Sequence, residues 1–499
     1  MPVLHDLPSE LILHISRSLG IDGIVSLALT CGRFRALIIS SRILAGAYDS
    51  DRITSSSEKL EPTELYKKAL RSYYLSLDLS THEKIQSSWY QDIQLDASVK
   101  YREVCHTDNG VVVLNCGKVF HFCSTHDVEL WAEFSADIGF DDEDEDGAWF
   151  HGVKAYGAIG SEVFYVAYLV PILKAPSYYA LHIEEFSAKP VDFGTRLRNI
   201  RNGRFHSDHV GCRMELHMRY PYVVVLPDLP HSYPTFVYDW SSGKSKKFSF
   251  VFQRDMERAI IRWAFFHPLR DSLVIRYESW SFPGDTTDVG EMDIPSQITF
   301  EDSSNDEFEG VLDTVYLKSL FHINNEDQWS NCEQDMADSA PYLTGELTWA
   351  FTLFALPHHW RGHGDEDEDD LPGDGSDKFA PRLVTLHFSD REPSPKMVTT
   401  MIPFRTDRAY RTLRFLGPEL YCGMGPAQPQ YGFRTFVLVP PMVGTLDPRL
   451  VELEHDLEAM LDEPSEFSVA SEYLKGARFD TRTGKLTAAY PDCLLCVQY

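Results

Sequence analysis

Residues 4–44 read LHDLPSELILHISRSLGIDGIVSLALTCGRFRALIISSRIL, and the reading of this stretch decides how the chain is built. Leu11, Ile12, Ile15 and Leu19 recur at helical spacing, which lays them on one stripe of a helix with His14, Arg17 and Ser18 elsewhere. Pro8 is tolerated in a first helical turn, and Glu10 suits the positive end of the helix dipole. Gly20 ends the run as a C-terminal glycine does. Asp22 then caps a second helix through Ile24, Leu27, Ala28 and Cys31, and Phe34, Leu37 and Ile38 begin a third. Three helices this short cannot hide all of this apolar surface among themselves. Part of it is expected to face a partner.

The stretch resembles the F-box, a three-helix motif that docks onto the Skp-type adaptor of cullin-based ubiquitin ligases. The family pattern opens Leu-Pro-x-Glu-Leu-x-x-x-Ile-x-x-x-Leu, matched here by Leu7, Pro8, Glu10, Leu11, Ile15 and Leu19. It continues with a Leu-x-x-Cys-x-Arg-Phe type of phrase, matched by LALTCGRFRAL at Leu27 to Leu37. Two positions depart from it. The acidic-apolar pair opening the second helix is stretched to Asp22-Gly23-Ile24, and Gly32 stands where a basic residue is common. The resemblance implies that residues 4–45 bind the adaptor, with Leu7, Pro8, Leu11, Ile15 and Leu19 as first contacts. Leu27, Cys31 and Phe34 are contacts or internal packing.

At 499 residues the chain has room for two or three domains. Its 30 Phe and 24 Tyr favour strands over helical solenoids. A net charge of −29 leaves no basic surplus to neutralise phosphates, which argues against nucleic acid and anionic membrane surfaces as partners. Residues 1–6 hold no apolar segment of a signal peptide, and the longest apolar run, Val163 to Leu173, is short for a bilayer and broken by Pro171. Nine thinly spread cysteines do not make a disulfide framework. The chain is expected to be soluble, in the cytoplasm or nucleus.

Residues 46–100 read as a linker followed by a helix through Leu65, Ala69, Leu70 and Tyr73, a candidate rigid joint. From 101 to 499 the periodicity is that of strands. VVVLNCGKVFHFCS (Val111 to Ser124) is a hairpin signal around Asn115-Cys116-Gly117. VFYVAYLV, YYALHIEEF, YVVVLP, PTFVYDW, DSLVIRYESW, ELTWAFTLFAL, PRLVTLHFS and RTFVLVP follow, with no regular helices between them. This argues against a parallel βαβ sheet, and so much strand in one unit makes a radial repeat the arrangement to test. One phrase recurs, Tyr238-Asp239-Trp240-Ser241-Ser242-Gly243-Lys244 and Phe479-Asp480-Thr481-Arg482-Thr483-Gly484-Lys485. Its glycines lie 241 residues apart (243 to 484), about five repeats at a blade length of roughly 40–50. It resembles the outer hairpin of a WD-type propeller blade, with insertions at Gly284 to Gly310 and Arg361 to Ala380. The fold class expected is therefore mainly β: a helical module, a linker helix and a β-propeller with irregular blades. The last strand, around Cys496, is expected to close the ring near Val111 to Leu114. Pro448 to Pro464, with Leu450, Leu453, Leu457 and Leu461, is expected to be a helix on the β domain.

No motif recommends an enzyme. Gly243-Lys244-Ser245 lacks the earlier glycine of a phosphate loop, since Tyr238 stands there. Cys493 and Cys496 have metal-like spacing, but residues three apart on a strand point to opposite faces. His358, His359 and His363 lie among glycines, which do not hold a rigid coordination shell. No cofactor and no metal are expected. The six-acid runs Asp141 to Asp146 and Asp365 to Asp370 are either solvated loops or surfaces for a basic partner. The expected function is that of a substrate receptor in an SCF-type ubiquitin ligase, with the β domain holding an unidentified protein substrate. A non-ligase F-box scaffold and a propeller enzyme tethered by an F-box are the alternatives.

Overall fold

A computed structural model of the chain describes residues 7–45 (18 and 20 apart), 61–82, and the strands and most turns from 84 to 499. Outside this description lie 1–6, 46–60, 95–102, 137–151, 172–177, 207–213, 228–233, 252–258, 295–300, 303–312, 325–341, 356–381, 402–411, 425–433, 440–448 and 455–475, with shorter stretches.

Helices α1 (Ser9–Ser16), α2 (Ile21–Thr30) and α3 (Gly32–Ser40) form in the expected order, but α1 stops short of Leu19, Asp22 lies in the first turn of α2 instead of capping it, and Cys31 precedes α3 instead of ending α2. Ile24, Val25 and Ala28 of α2 and Ile38 of α3 meet Leu65, Tyr66 and Ala69 of a fourth helix, α4 (Pro62–Thr81), in one core. The unusual Gly23 has a steric reason. A Cβ there would stand 3.2 Å from the Leu19 Cβ, at the corner between α1 and α2. Gly32 meets nothing within 4 Å, so its departure from the motif faces open space.

α4 opens with Pro62 in its first turn, where a missing N–H costs nothing. Its first half belongs to the helical core. In its second half Leu75 and Leu79 enter a different core, with Val451, Leu453, Phe479, Leu486, Leu495 and Val497 of the β domain. One continuous helix therefore has its two ends in two cores, which makes it a strut.

Among the described residues the β domain is a propeller of seven sheets, taken in chain order as blades 1 to 7. Blade 1 is Glu103–His106, Val111–Asn115, Val119–Ser124 and Trp131–Ser135; blade 2 is Val153–Tyr156, Val163–Pro171, Tyr178–Ser187 and Arg196–His206. Blade 3 is Met214–Arg219, Tyr222–Pro227, Thr235–Asp239 and Lys244–Val251; blade 4 is Ala259–Phe266, Ser272–Ser281, Gly284–Asp293 and Lys318–Asn324. Blade 5 is Tyr342–Gly345, Thr348–Ala355, Arg382–Ser389 and Lys396–Met401, and blade 6 is Thr412–Gly417, Leu420–Met424, Arg434–Val439 and Arg449–Glu454. Blade 7 is Gly476–Asp480, Lys485–Ala489, Cys493–Gln498 and, from the other end of the chain, Trp89–Gln94. The first strands of blades 6, 7, 1, 2, 3 and 4 touch one another in that order, so they line the axis.

The uninterrupted apolar runs follow from this ring. Successive strand side chains point to opposite faces, and a blade has a neighbour on each face. Val111 and Val113 pack toward blade 2, and Val112 and Leu114 toward blade 7. Val223 and Val225 face blade 2 while Val224 and Leu226 face blade 4. Leu494 and Cys496 face blade 1 while Leu495 and Val497 face blade 6.

Several expectations are corrected. The last strand does close the ring, but its hydrogen-bonded partner is Trp89–Gln94 (Cys496 opposite Gln91), and Val112 and Leu114 meet it face to face instead. The β domain accordingly begins before residue 101, with Trp89–Gln94 in blade 7 and Lys84–Gln86 paired to the outer strand of blade 6. The helix expected over Pro448 to Pro464 is replaced over Arg449–Glu454 by a strand between Arg434–Val439 and Lys84–Gln86, with Val451 and Leu453 buried beside α4, and residues 455–464 lie outside the described residues. The two copies of the recurring phrase are both hairpins with left-handed glycines, Gly243 at φ 73° and Gly484 at φ 71°. They are not equivalent, however: the first joins the third and fourth strands of blade 3, the second the first and second strands of blade 7. The insertion expected from Gly284 starts later, because Gly284–Asp293 is a blade strand. Within it Glu301–Asp302 and Asp313–Tyr316 pair with Lys244–Val251 on the outer edge of blade 3. The insertion at Arg361 to Ala380 lies outside the described residues.

Candidate functional site

The expected adaptor contacts divide into an outer face and an inner one. α1 is held at its start by Arg33 of α3, whose guanidinium donates to the Leu7 carbonyl at 3.0 Å. Its inward stripe is Ile12 and Ser16, the Ser16 hydroxyl donating back to the Ile12 carbonyl at 2.8 Å. That leaves Leu11 50% and Ile15 39% exposed, one helical turn apart, with Pro8 exposed beside them and Leu7 half-buried. Leu19 and Leu27 are half-buried against the helical core. Cys31 is half-buried at the start of α3, and Phe34 is only 3% exposed, a core residue. The outer face is therefore Pro8, Leu11 and Ile15.

Leu29 of α2 is also an exposed large apolar residue, and the sequence reading passed over it. Its signal was its phase. The buried stripe of α2 is Ile24, Val25 and Ala28, and a leucine one position beyond Ala28 turns about 100° away from it.

The remaining candidates take structural places. Asp239 caps the Ser241-Ser242-Gly243 turn, accepting from both serine hydroxyls, at 2.7 and 2.8 Å, and from both their backbone N–H groups. Burial alone raises its pKa, but these bonds outweigh that and lower it, so the carboxylate stays charged. Cys496 is buried between blades 7 and 1, and its thiol pKa is raised by burial. The side chain of Cys493, the His358, His359 and His363 cluster, and both six-acid runs lie outside the described residues. Among the described residues no group of three or more His, Cys, Asp and Glu side chains is placed to hold a metal. No helix among them is long and apolar enough to cross a membrane.

On the axis-lining strand of blade 3, His217 faces Glu215 at 3.7 Å between His Nε2 and the carboxylate. Burial lowers the His217 pKa, with Glu215 acting against it and Lys154 adding to it. The pair is a histidine beside an acid, two residues apart on one face of that strand.

The F-box domain family matches residues 4–45, a span that contains α1, α2 and α3. No curated protein matches the chain in sequence. Solved structures similar to it include YCF48 bound to D1 peptide, at 9% identity and TM-score 0.39, covering 84% of this chain and 100% of that one. Drosophila Semaphorin 1b, extracellular domains 1–2, is similar at 8% identity and TM-score 0.39 over 83% of this chain and 88% of its own. The N-terminal domain of Nup159 is similar at 7% identity and TM-score 0.34, over 84% and 97%. Similarity this low carries no functional argument. Residues 4–45 are an F-box domain, and F-box domains generally bind Skp-type adaptors. An F-box followed by a propeller fits an F-box substrate receptor in general, a class whose members are typically non-catalytic.

Proposed function

We propose that this F-box chain is the substrate-receptor subunit of an SCF-type ubiquitin ligase. The F-box binds a Skp-type adaptor through Pro8, Leu11 and Ile15, with Leu7 and Leu19 at the margin, and through the adaptor a cullin scaffold. The propeller binds a protein substrate. The observation that carries this reading is α4, a single helix with Ala69 in the F-box core and Leu79 in the propeller core. A receptor works by holding its substrate at a fixed place beside a ubiquitin-loaded enzyme, which raises effective concentration without chemistry of its own. A rigid strut between the adaptor-binding head and the substrate-binding ring is what that task requires. In this reading the chain is not catalytic, and it acts in the cytoplasm or nucleus.

Co-purification tests it. Tagged full chain is expressed in cells and the captured material probed for adaptor, cullin and ubiquitin-conjugating activity toward captured proteins. Adaptor together with cullin is expected. Adaptor without cullin would replace the ligase by a scaffold, and capture of neither would remove the reading.

A further inference from the structure

In antiparallel blades the turns joining strands one to two and three to four open on one rim of the ring. α4 reaches the ring on that rim, since Leu75 lies against Gly484 in the first turn of blade 7. On the same rim, at blades 2 and 3, four rings gather. Tyr156 and Tyr165 are cross-strand partners flanking the first turn of blade 2. Tyr220 stands in the first turn of blade 3, and Trp240 begins its third, with its backbone N–H bonded to the Pro221 carbonyl at 3.0 Å. Trp240 is the hub: its ring centroid lies 5.8 Å from Tyr165, 6.4 Å from Tyr156 and 5.8 Å from Tyr220.

Two features of this set are not explained by packing. Trp240 is 7% exposed, yet among the described residues its indole Nε1 has no hydrogen-bond partner. A buried donor left unpaired costs about 1–3 kcal/mol, and such groups are normally satisfied. Tyr220, edge-on to that indole, is 53% exposed, although a tyrosine ring carries a large apolar area.

The surroundings state the chemistry. Asp239, kept charged by its serine bonds, immediately precedes Trp240. Asp239 and Asp271 both act on Tyr222, beside Tyr220, whose pKa burial and then these acids raise. On the blade 2 side the guanidinium of Arg198 is paired with Glu185, the cross-strand neighbour of Tyr165. One guanidinium of the chain is thus already held by a carboxylate at this place. Aromatic faces attract cations, and the whole chain carries a charge of −29.

We propose that this rim of blades 2 and 3 docks a basic segment of a protein partner, with a Lys or Arg side chain on the Tyr220–Trp240 rings and a backbone carbonyl accepting from the Trp240 indole. It rests on the receptor reading for the partner's fate as a substrate; the binding itself does not. The site shares its rim with the strut to the F-box, so a docked segment is held on the side of the ring where the adaptor-binding head is joined.

The test uses the full chain, purified both with and without a Skp-type adaptor, and a fluorescein-labelled Gly/Ser peptide carrying three arginines, followed by anisotropy. The expected result is saturable binding that weakens with salt, and none by the same peptide with three glutamates. Tyr220→Ala is expected to weaken binding roughly tenfold, at an unchanged melting temperature because Tyr220 is half exposed. Trp240→Phe keeps a ring, loses the N–H, and is expected to weaken it as well. Absence of arginine-peptide binding, or equal binding by wild type and Tyr220→Ala, would overturn the proposal, the second by showing a general acidic surface. The adaptor readout stays separate. Tyr220→Ala should retain adaptor. A Leu11→Asp/Ile15→Asp chain that keeps the peptide but loses adaptor leaves the site standing, whereas wild-type chain that binds peptide but captures neither adaptor nor cullin sinks only the ligase reading.

Discussion

Leu75 of α4 lies over Gly484 so closely that a Cβ on residue 484 would stand 3.1 Å from the Leu75 Cδ2 atom and 2.7 Å from the Tyr499 carbonyl oxygen. The turn also needs φ 71° there, a conformation that side chains other than glycine resist. The chain's end is fastened at the same spot, the Tyr499 N–H donating to the Gly484 carbonyl at 2.8 Å and its ring meeting Phe479 edge-on. Strut, first turn of blade 7 and C-terminal residue therefore share one contact.

Gly484→Ala is expected to destabilise the chain by about 1–3 kcal/mol, from backbone strain together with the lost close approach. Gly243→Ala is the comparison. Its φ is 73° but nothing lies within 4 Å of the added Cβ, so only the strain remains. Chemical denaturation of both variants measures the difference. Equal losses would mean that the strut does not bear on residue 484.

Deleting residues 490–499 is expected to cause aggregation or a large fall in melting temperature. The deletion strips Trp89–Gln94 of its ladder partner and empties two cores at once, Leu495 and Val497 on one side and Leu494 and Cys496 on the other. Each buried aliphatic side chain lost costs about 2–5 kcal/mol. A truncated chain that melts like the intact one would show that ring closure contributes nothing.

Stability is expected to fall as the solution is acidified from pH 7 to pH 5. Burial, then nearby cations, lowers the His267 pKa to about 3, and burial lowers that of His182 to about 4. Unfolded histidine titrates near 6.5, so between these values the unfolded chain binds the extra protons and stability rises with pH. At pH 5 each contributes a loss on the order of 2 kcal/mol. Glu184, whose pKa burial raises, works in the opposite sense. Urea titrations across this range on wild type and His267→Phe measure it. The variant's profile should be flatter by one proton, and an unchanged slope would count against His267 as a contributor.

Much of this architecture was legible. The F-box read out because its motif is local: Leu7, Pro8, Glu10 and Leu11 stand in one turn and need no distant partner. The propeller read out as a class because strands such as Val111–Asn115 are apolar on both faces, which a ring of blades demands. Its register did not. Trp89–Gln94 joins blade 7 across the whole length of the chain, and nothing in its own composition names Cys493–Gln498 as its partner. Leu450 and Leu453 carry a helical spacing, but the pair buried in the core with α4 is Val451 and Leu453, two apart as on a strand. The aromatic set at Trp240 was hidden differently, since Tyr156, Tyr165 and Tyr220 come together only when blades 2 and 3 stand side by side.

The sharpest prediction concerns α1. Leu11 and Ile15 are exposed in the chain alone, so replacing both by Asp is expected to cost within about 0.5 kcal/mol each in stability, as surface changes do. Adaptor binding should collapse, because burying two unpaired carboxylates at a new interface costs several kcal/mol. Ile12 supplies the contrast, at one residue's distance but buried in the head: Ile12→Asp should unfold the helical core, and through α4 should loosen the propeller as well. Adaptor pull-down and thermal melting on both variants separate the cases. Adaptor retained by the Leu11→Asp/Ile15→Asp chain would show that docking uses another face, for which Leu29 is the next residue to change. A large stability loss in that double variant would show that the exposed face of α1 is already covered within the chain.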